Sequence, residues 1–276
     1  MTENQRSDEA ADAAAACGDG GAIPPTAGEV PPPERGASPG ALRALLHPEV
    51  TARLRPEGYL DVLPETVETA DTRSQSLWMS RRGPKVYLKL IQPVVRTLGA
   101  PPDAAALAPA LRLGAGAKVL DVGCGPGIIT AGLAGSVGRD GIAVGLDLSE
   151  PMLDRALQQA PVNMGLIRGD ASRLPFGSAV FDAACSTAVV MLVPDPMHAL
   201  SEMLRVVRPG GWLAVVVPCR GTGPVGRIGA AVGGVAGGRM FRPGEVAEMF
   251  DRLGADRVYG QSNGLISTTF ARRAAD

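Results

Sequence analysis

The stretch Val119-Leu-Asp-Val-Gly-Cys-Gly-Pro-Gly127 decides the fold of this chain. The apolar run at 118–122 reads as a buried strand and 128–137 reads as a helix. Between them Gly123, Gly125 and Gly127 make a strand-to-helix turn almost without side chains. Glycine reaches backbone angles that are costly for other residues, and it lets a ligand come close to the main chain. A helix that opens at such a loop points its first N–H groups at polar ligand atoms.

The same alternation continues outward. Strands are expected at 141–147, 164–168, 180–186 and 212–217, with helices at 150–160 and 198–208. A helix at 242–253 and two closing strands at 257–260 and 266–271 complete the pattern. Strands alternating with helices predict an α/β fold, a mostly parallel sheet with helices on both faces. Residues 1–40, rich in Ala, Gly and Pro, are expected to form a disordered tail, because they offer little apolar surface to offset ordering. Residues 41–102 read as a helical cap. A short helix at 41–46, a turn at Arg55-Pro-Glu-Gly58 and a helical run at 86–98 with a kink or a restart at Pro93 are expected there. Residues 103–276 form the main domain in this reading.

Rival readings of the glycine loop weaken on inspection. A dinucleotide fingerprint needs a small residue where Ile128 stands, and a phosphate loop needs Gly-Lys-Ser/Thr, which is missing. Three acids at strand ends add information. Asp121 can answer an ammonium group, and Asp147 can accept both hydroxyls of a ribose. Asp170 can accept from an adenine amino group while the Ala171 N–H donates to the ring. These carboxylates converge only if their three strands are adjacent and parallel.

Four segments together, 119–127, 145–153, 169–181 and Arg205-Val-Val-Arg-Pro-Gly-Gly-Trp-Leu213, resemble the class I S-adenosylmethionine-dependent methyltransferases. The similarity is to the small-molecule group that includes the ubiquinone and menaquinone methyltransferases. It implies a Rossmann-like, mostly parallel seven-stranded sheet and S-adenosylmethionine as cofactor. By that resemblance Asp121, Gly123, Cys124 and Gly125 hold the methionine end, Gly127 belongs to the same cofactor-binding loop, and Asp147 holds the ribose. Leu148 and Met152 pack on the adenine, Asp170 and Ala171 read its edge, and Ser186 with Thr187 lies beside the sulfonium. Cys124 reads as a space-filling residue, and Asp182 as a structural acid at the start of its strand.

The reaction this implies is methyl transfer to carbon or oxygen of a small hydrophobic acceptor. The alternative is a non-catalytic S-adenosylmethionine-binding regulator. No general base is nominated: of the two histidines, His198 reads as structural at a helix start and the place of His47 is open. Trp78, Tyr87, Met191 and Phe241 are candidates for the acceptor pocket. The glycine-rich stretch 221–238 reads either as a mobile lid or as a plain loop.

The net charge is −1, which gives nucleic acid or an anionic membrane no support at whole-chain level. Cys17, Cys124, Cys185 and Cys219 form no CxxC pair, so neither a metal site nor a disulfide framework is expected. The cysteine pattern also argues against arsenic methylation. No basic n-region opens the chain and no membrane-length apolar run follows, so a cytoplasmic protein without membrane insertion is expected.

Overall fold

The computed structural model describes residues 36–64, 78–93, 97, 101–220 and 238–275. Residues 1–35 of the tail expected at 1–40, residues 94–96 and 98 of the helical run, and all but Gly238 of the glycine-rich stretch 221–238 lie outside the described residues. Residues 36–40 correct the tail's boundary: Ala37 is hydrogen-bonded to Met164, and Pro39 and Gly40 open a helix. The strands are β1 (Arg53–Leu54), β2 (Leu60–Asp61), β3 (Lys118–Val122), β4 (Ile142–Asp147) and β5 (Met164–Arg168). They continue with β6 (Phe181–Thr187), β7 (Val207–Pro218), β8 (Arg257–Asn263) and β9 (Ile266–Arg272). Among the described residues they form one nine-stranded sheet in the order β1-β2-β5-β4-β3-β6-β7-β9-β8.

The centre of the sheet is parallel: β2, β5, β4, β3, β6 and β7 all run the same way, and β9 and β8 close it antiparallel. Strand order reverses beside β3, where β4 lies on one side and β6 on the other. In open α/β sheets the crevice outside the carboxyl ends of the strands at such a reversal is where ligands bind. The helices are α1 (Pro39–Arg43), α2 (Gly83–Val86), α3 (Ala104–Ala110), α4 (Ile128–Val137), α5 (Glu150–Leu157), α6 (Pro196–Val206) and α7 (Glu245–Arg252).

Two apolar layers sandwich the strands. Leu120, Val122, Leu146, Ile167 and Val215 face one layer with Leu200, Met203 and Phe250. Val119, Leu166, Ala183 and Trp212 face the other with Leu107, Leu133 and Leu153. Alternate strand residues thus feed opposite cores, which is why these strands are apolar along both faces. Side-chain caps start several helices: Asp103 Oδ1 accepts from the Ala106 N–H at 3.0 Å, and Asp195 Oδ1 accepts from the His198 N–H at 3.1 Å.

Two expectations are corrected. The sheet has nine strands where seven were expected, and residues 41–102 are not purely helical. The turn expected at 55–58 joins β1 and β2 into a hairpin, with the Arg55 N–H donating to the Tyr59 carbonyl at 2.9 Å. Each of these strands is two residues long, too short to show a period. The helical run toward Pro93 is irregular as well. It widens into a π turn over Tyr87–Ile91, two residues before Pro93, whose ring in a regular α-helix would clash with the carbonyl of residue 89.

The segment 36–46 packs onto the sheet. The Ala37 N–H donates to the Met164 carbonyl at 2.8 Å, and Leu42, 1 % exposed, fills the space left by the missing side chain of Gly165. Leu42→Ala is expected to lower stability by about 2–4 kcal/mol, read by urea unfolding. An unchanged midpoint would mean that α1 is not docked on β5.

Candidate active site

The glycine loop is shaped by contacts of unequal kind. The N–H groups of Gly123 and Cys124 both donate to the Leu146 carbonyl, at 2.7 and 3.0 Å. All three glycines have positive φ, 75°, 52° and 78° for Gly123, Gly125 and Gly127. A side chain at Gly123 would meet Val189 Cγ2 at 2.0 Å, and one at Gly127 would meet Ala156 Cβ and Met164 Cε at 2.8 Å. At Gly125 it would meet nothing within 4 Å. Gly123 and Gly127 therefore serve close protein packing, and Gly125 is the glycine that borders open space. The Cys124 side chain is buried and packs over Gly145, as a space-filling residue does.

The strands carrying Asp121 and Asp147 and the strand that Asp170 follows are adjacent and parallel, so the three acids share one end of the sheet. Asp147 Oδ2 accepts from the Gly125 N–H and Oδ1 accepts from the Ser149 N–H, both at 2.8 Å. Burial pushes its carboxyl up, against those two backbone donors, which pull it down. Asp121 is 2 % exposed. Its Oδ2 accepts from the Thr130 hydroxyl at 2.6 Å and its Oδ1 from the Cys185 thiol at 3.6 Å. Burial raises Asp121 to about 6, the Thr130 and Cys185 donors oppose the rise, and the charge of Asp147 adds to it. Asp170 is exposed, and its Oδ1 accepts from the Ser172 N–H at 2.8 Å in a tight local turn.

The other expected residues divide. Leu148 and Ala171 are half-buried and Met152 is buried. Ser186 is fully buried at the end of β6, and among the described residues the hydroxyls of Ser186 and Thr187 have no hydrogen-bond partner. Trp78 and Tyr87 meet edge to face at 6.2 Å. The Trp78 carbonyl accepts from the Ser149 hydroxyl at 2.7 Å, while its buried indole N–H has no partner among the described residues. Tyr87 is raised by burial and by the nearby charge of Asp121. Segment 78–93 thus reaches the same end of the sheet. Met191 and Phe241, by contrast, belong to the apolar core, and His198 is exposed at the start of α6.

Sequence reasoning missed Arg168. Its Nη1 donates to Asp61 Oδ2 at 3.1 Å and to Glu150 Oε1 at 2.8 Å, and its Nε donates to the Leu148 carbonyl at 3.3 Å. One guanidinium thus joins the hairpin to the turn that follows Asp147. A basic residue among strand-end acids was the only available signal, since the partner Asp61 sits on a strand the sequence did not reveal.

Residues 120–215 match the family model described as a methyltransferase domain. Demethylmenaquinone methyltransferase of Bacillus cereus is 45% identical over 100 residues, which are 35% of this chain and 42% of that protein. The chain spans less than half the length of the curated relatives it matches. A SAM-dependent methyltransferase from Aquifex aeolicus superposes with a TM-score of 0.54 at 22% identity, over 69% of this chain and 98% of that one. Residues 120–215 thus match a methyltransferase domain by sequence, and the fold around them is that of S-adenosylmethionine-dependent methyltransferases. A phosphoethanolamine N-methyltransferase 2 of Haemonchus contortus, solved with S-adenosyl-L-methionine, shares the methyltransferase fold. Its TM-score is 0.61 at 14% identity, over 77% of this chain and 61% of that one.

The residues at the carboxyl end of the sheet fit the cofactor of such a domain. Gly125 borders open space beside the Asp147 carboxylate, and three buried polar atoms on Trp78, Ser186 and Thr187 await partners. The buried acid also makes the methyltransferase domain pH-sensitive. Unfolded Asp121 loses its proton near 3.8, and folded Asp121 near 6. Between those values the folded state holds more protons, so this group's contribution to stability falls as pH rises. The expected loss from pH 4 to pH 7 is about 2–3 kcal/mol. Urea unfolding across that range should show an excess slope that Asp121→Asn lacks. Equal slopes in both proteins would place the titration elsewhere.

Proposed function

We propose that this chain transfers the methyl group of S-adenosylmethionine to carbon or oxygen of a small, hydrophobic, quinone-like acceptor. The observation that carries the reading is the placement of Asp121 and Asp147 at the ends of adjacent parallel strands, with Gly125, which donates to Asp147, bordering open space. The acceptor class is supported by the demethylmenaquinone methyltransferase likeness and by the aromatic pair Trp78 and Tyr87 at the site. In this reading residues 41–102 cover the acceptor side and residues 103–276 bind the cofactor.

Bound S-adenosylmethionine supplies an electrophilic methyl group on a sulfonium, so the protein has chiefly to position and to exclude water. Asp121 answers the ammonium of the methionine end, and the main chain at Gly123, Cys124 and Gly125 lines it. Asp147 keeps free lone pairs after accepting from Gly125 and Ser149, and these receive the ribose hydroxyls. Leu148 and Met152 contact the adenine faces, and Asp170 with Ala171 reads its edge. The free hydroxyls of Ser186 and Thr187 orient the reacting end. Tyr87 and Trp78 shield it from solvent.

Two measurements test this. Calorimetry should give an affinity for S-adenosylmethionine that Asp147→Ala weakens by about 1–3 kcal/mol, the cost of unpaired ribose hydroxyls. Unchanged affinity would place the ribose elsewhere. A panel of quinone-like and unrelated acceptors, read by release of S-adenosylhomocysteine, should then show turnover with quinone-like phenols. Tight cofactor binding without turnover on any acceptor would mark a regulator instead of an enzyme.

A further inference from the structure

Residues 72–102 contain no acidic residue and six basic ones, Arg73, Arg81, Arg82, Lys85, Lys89 and Arg96. The chain as a whole carries −1, so this stretch is a strong local positive excess on an otherwise acidic protein. Arg81, Arg82, Lys85 and Lys89 are all exposed. Among the described residues, none of these four pairs with a carboxylate. Arg81 and Arg82 stand in the turn before α2, Lys85 lies in α2 and Lys89 in the π turn that follows, so four exposed cations fall within nine residues. Next to Lys89 stands Leu90, 63% exposed, the most exposed large apolar side chain among the described residues. The opposite side faces inward: Gly83 and Pro84 are buried, and Tyr87 lies within reach of the Asp121 charge.

We propose that the outer face of segment 81–90 docks the protein on an anionic phospholipid bilayer, with Arg81, Arg82, Lys85 and Lys89 on the headgroups and Leu90 inserted below them. Cations flanking an apolar side chain on a helix that lies at the surface are what interfacial binding requires. Each such cation gains from the negative potential of the leaflet, and the gain fades with salt. Single-stranded nucleic acid fits less well, because it calls for exposed aromatic platforms, whereas Trp78 and Tyr87 are turned to the site and the outward apolar group is aliphatic. The inference rests on the hydrophobic acceptor proposed above. Such an acceptor partitions into a bilayer, and the docking face belongs to the segment whose inner side reaches the site.

The test is flotation of the full chain with vesicles of phosphatidylcholine alone or mixed with phosphatidylglycerol. Binding is expected to the mixed vesicles only and to be lost in high salt. Replacing Arg81, Arg82, Lys85 and Lys89 together by Gln should reduce it at least tenfold. A control with Arg43, Arg139, Arg173 and Arg252 replaced by Gln makes the same change in net charge and should bind as before. Leu90→Ser should weaken binding severalfold. All three variants should keep their affinity for S-adenosylmethionine in solution, which shows that they fold. Equal binding to neutral vesicles, undiminished binding of the first variant, or preference for an oligonucleotide over mixed vesicles would overturn the proposal. Turnover of a water-soluble short-chain acceptor without vesicles is scored separately. Its loss would overturn the proposed reaction, whereas turnover with no vesicle binding would overturn the docking face alone.

Discussion

The carboxylate of Asp147 holds the working end of this molecule together. One oxygen accepts from Gly125 in the glycine loop and the other from Ser149 at the start of α5. Two turns that are distant in sequence thereby lie side by side. Ser149 passes the connection on, since its hydroxyl donates to the Trp78 carbonyl. A single half-buried carboxyl group thus organises the loop, the next helix and the N-terminal segment. Backbone donors aimed at it offset part of the cost of removing its charge from water.

Asp121 shows the opposite balance. It sits one strand away among apolar residues with two side-chain donors, and burial raises its carboxyl to about 6. A group in that state gains most from a cation brought close to it. The site therefore carries an acid that is costly to keep charged when the protein stands alone. The arrangement resembles other functional sites, where stability is sacrificed locally for binding. Thr130 and Cys185 hold the acid in place from α4 and β6, so its position depends on three elements at once.

Arg168 ties the N-terminal part of the chain to this frame. Asp61 is 1 % exposed, and a buried carboxylate without a partner would be strongly destabilising. Arg168 supplies one partner, beside the Leu63 N–H at 3.0 Å and Arg53 at 4.0 Å, and the same guanidinium also holds Glu150 and the Leu148 carbonyl. The hairpin is thus fastened to the turn beside Asp147. The basic outer face of segment 81–90 was hidden by the overall charge for a related reason. A net charge averages over the surface, while a bilayer meets one face.

The core of the fold was legible before any coordinates. The expected strands at 118–122 and 164–168 coincide with β3 and β5, and the acids at 121, 147 and 170 share one sheet end as adjacent parallel strands require. Those features are local: apolar runs, glycine turns and strand-end acids lie within a few residues of one another. The β1–β2 hairpin was illegible because two-residue strands carry no period. The differing roles of the three glycines depend on Val189, Ala156 and Met164, which come from other elements. Asp61 and Arg168 are 107 residues apart, so no spacing rule pairs them. The sequence by itself determined the alternating elements and the acids at their ends, because backbone periodicity and turn chemistry are written residue by residue. Only the tertiary structure decided which glycine borders open space, which acids are buried and what fastens the N-terminal segment, because those depend on contacts that exist only once distant parts of the chain have met.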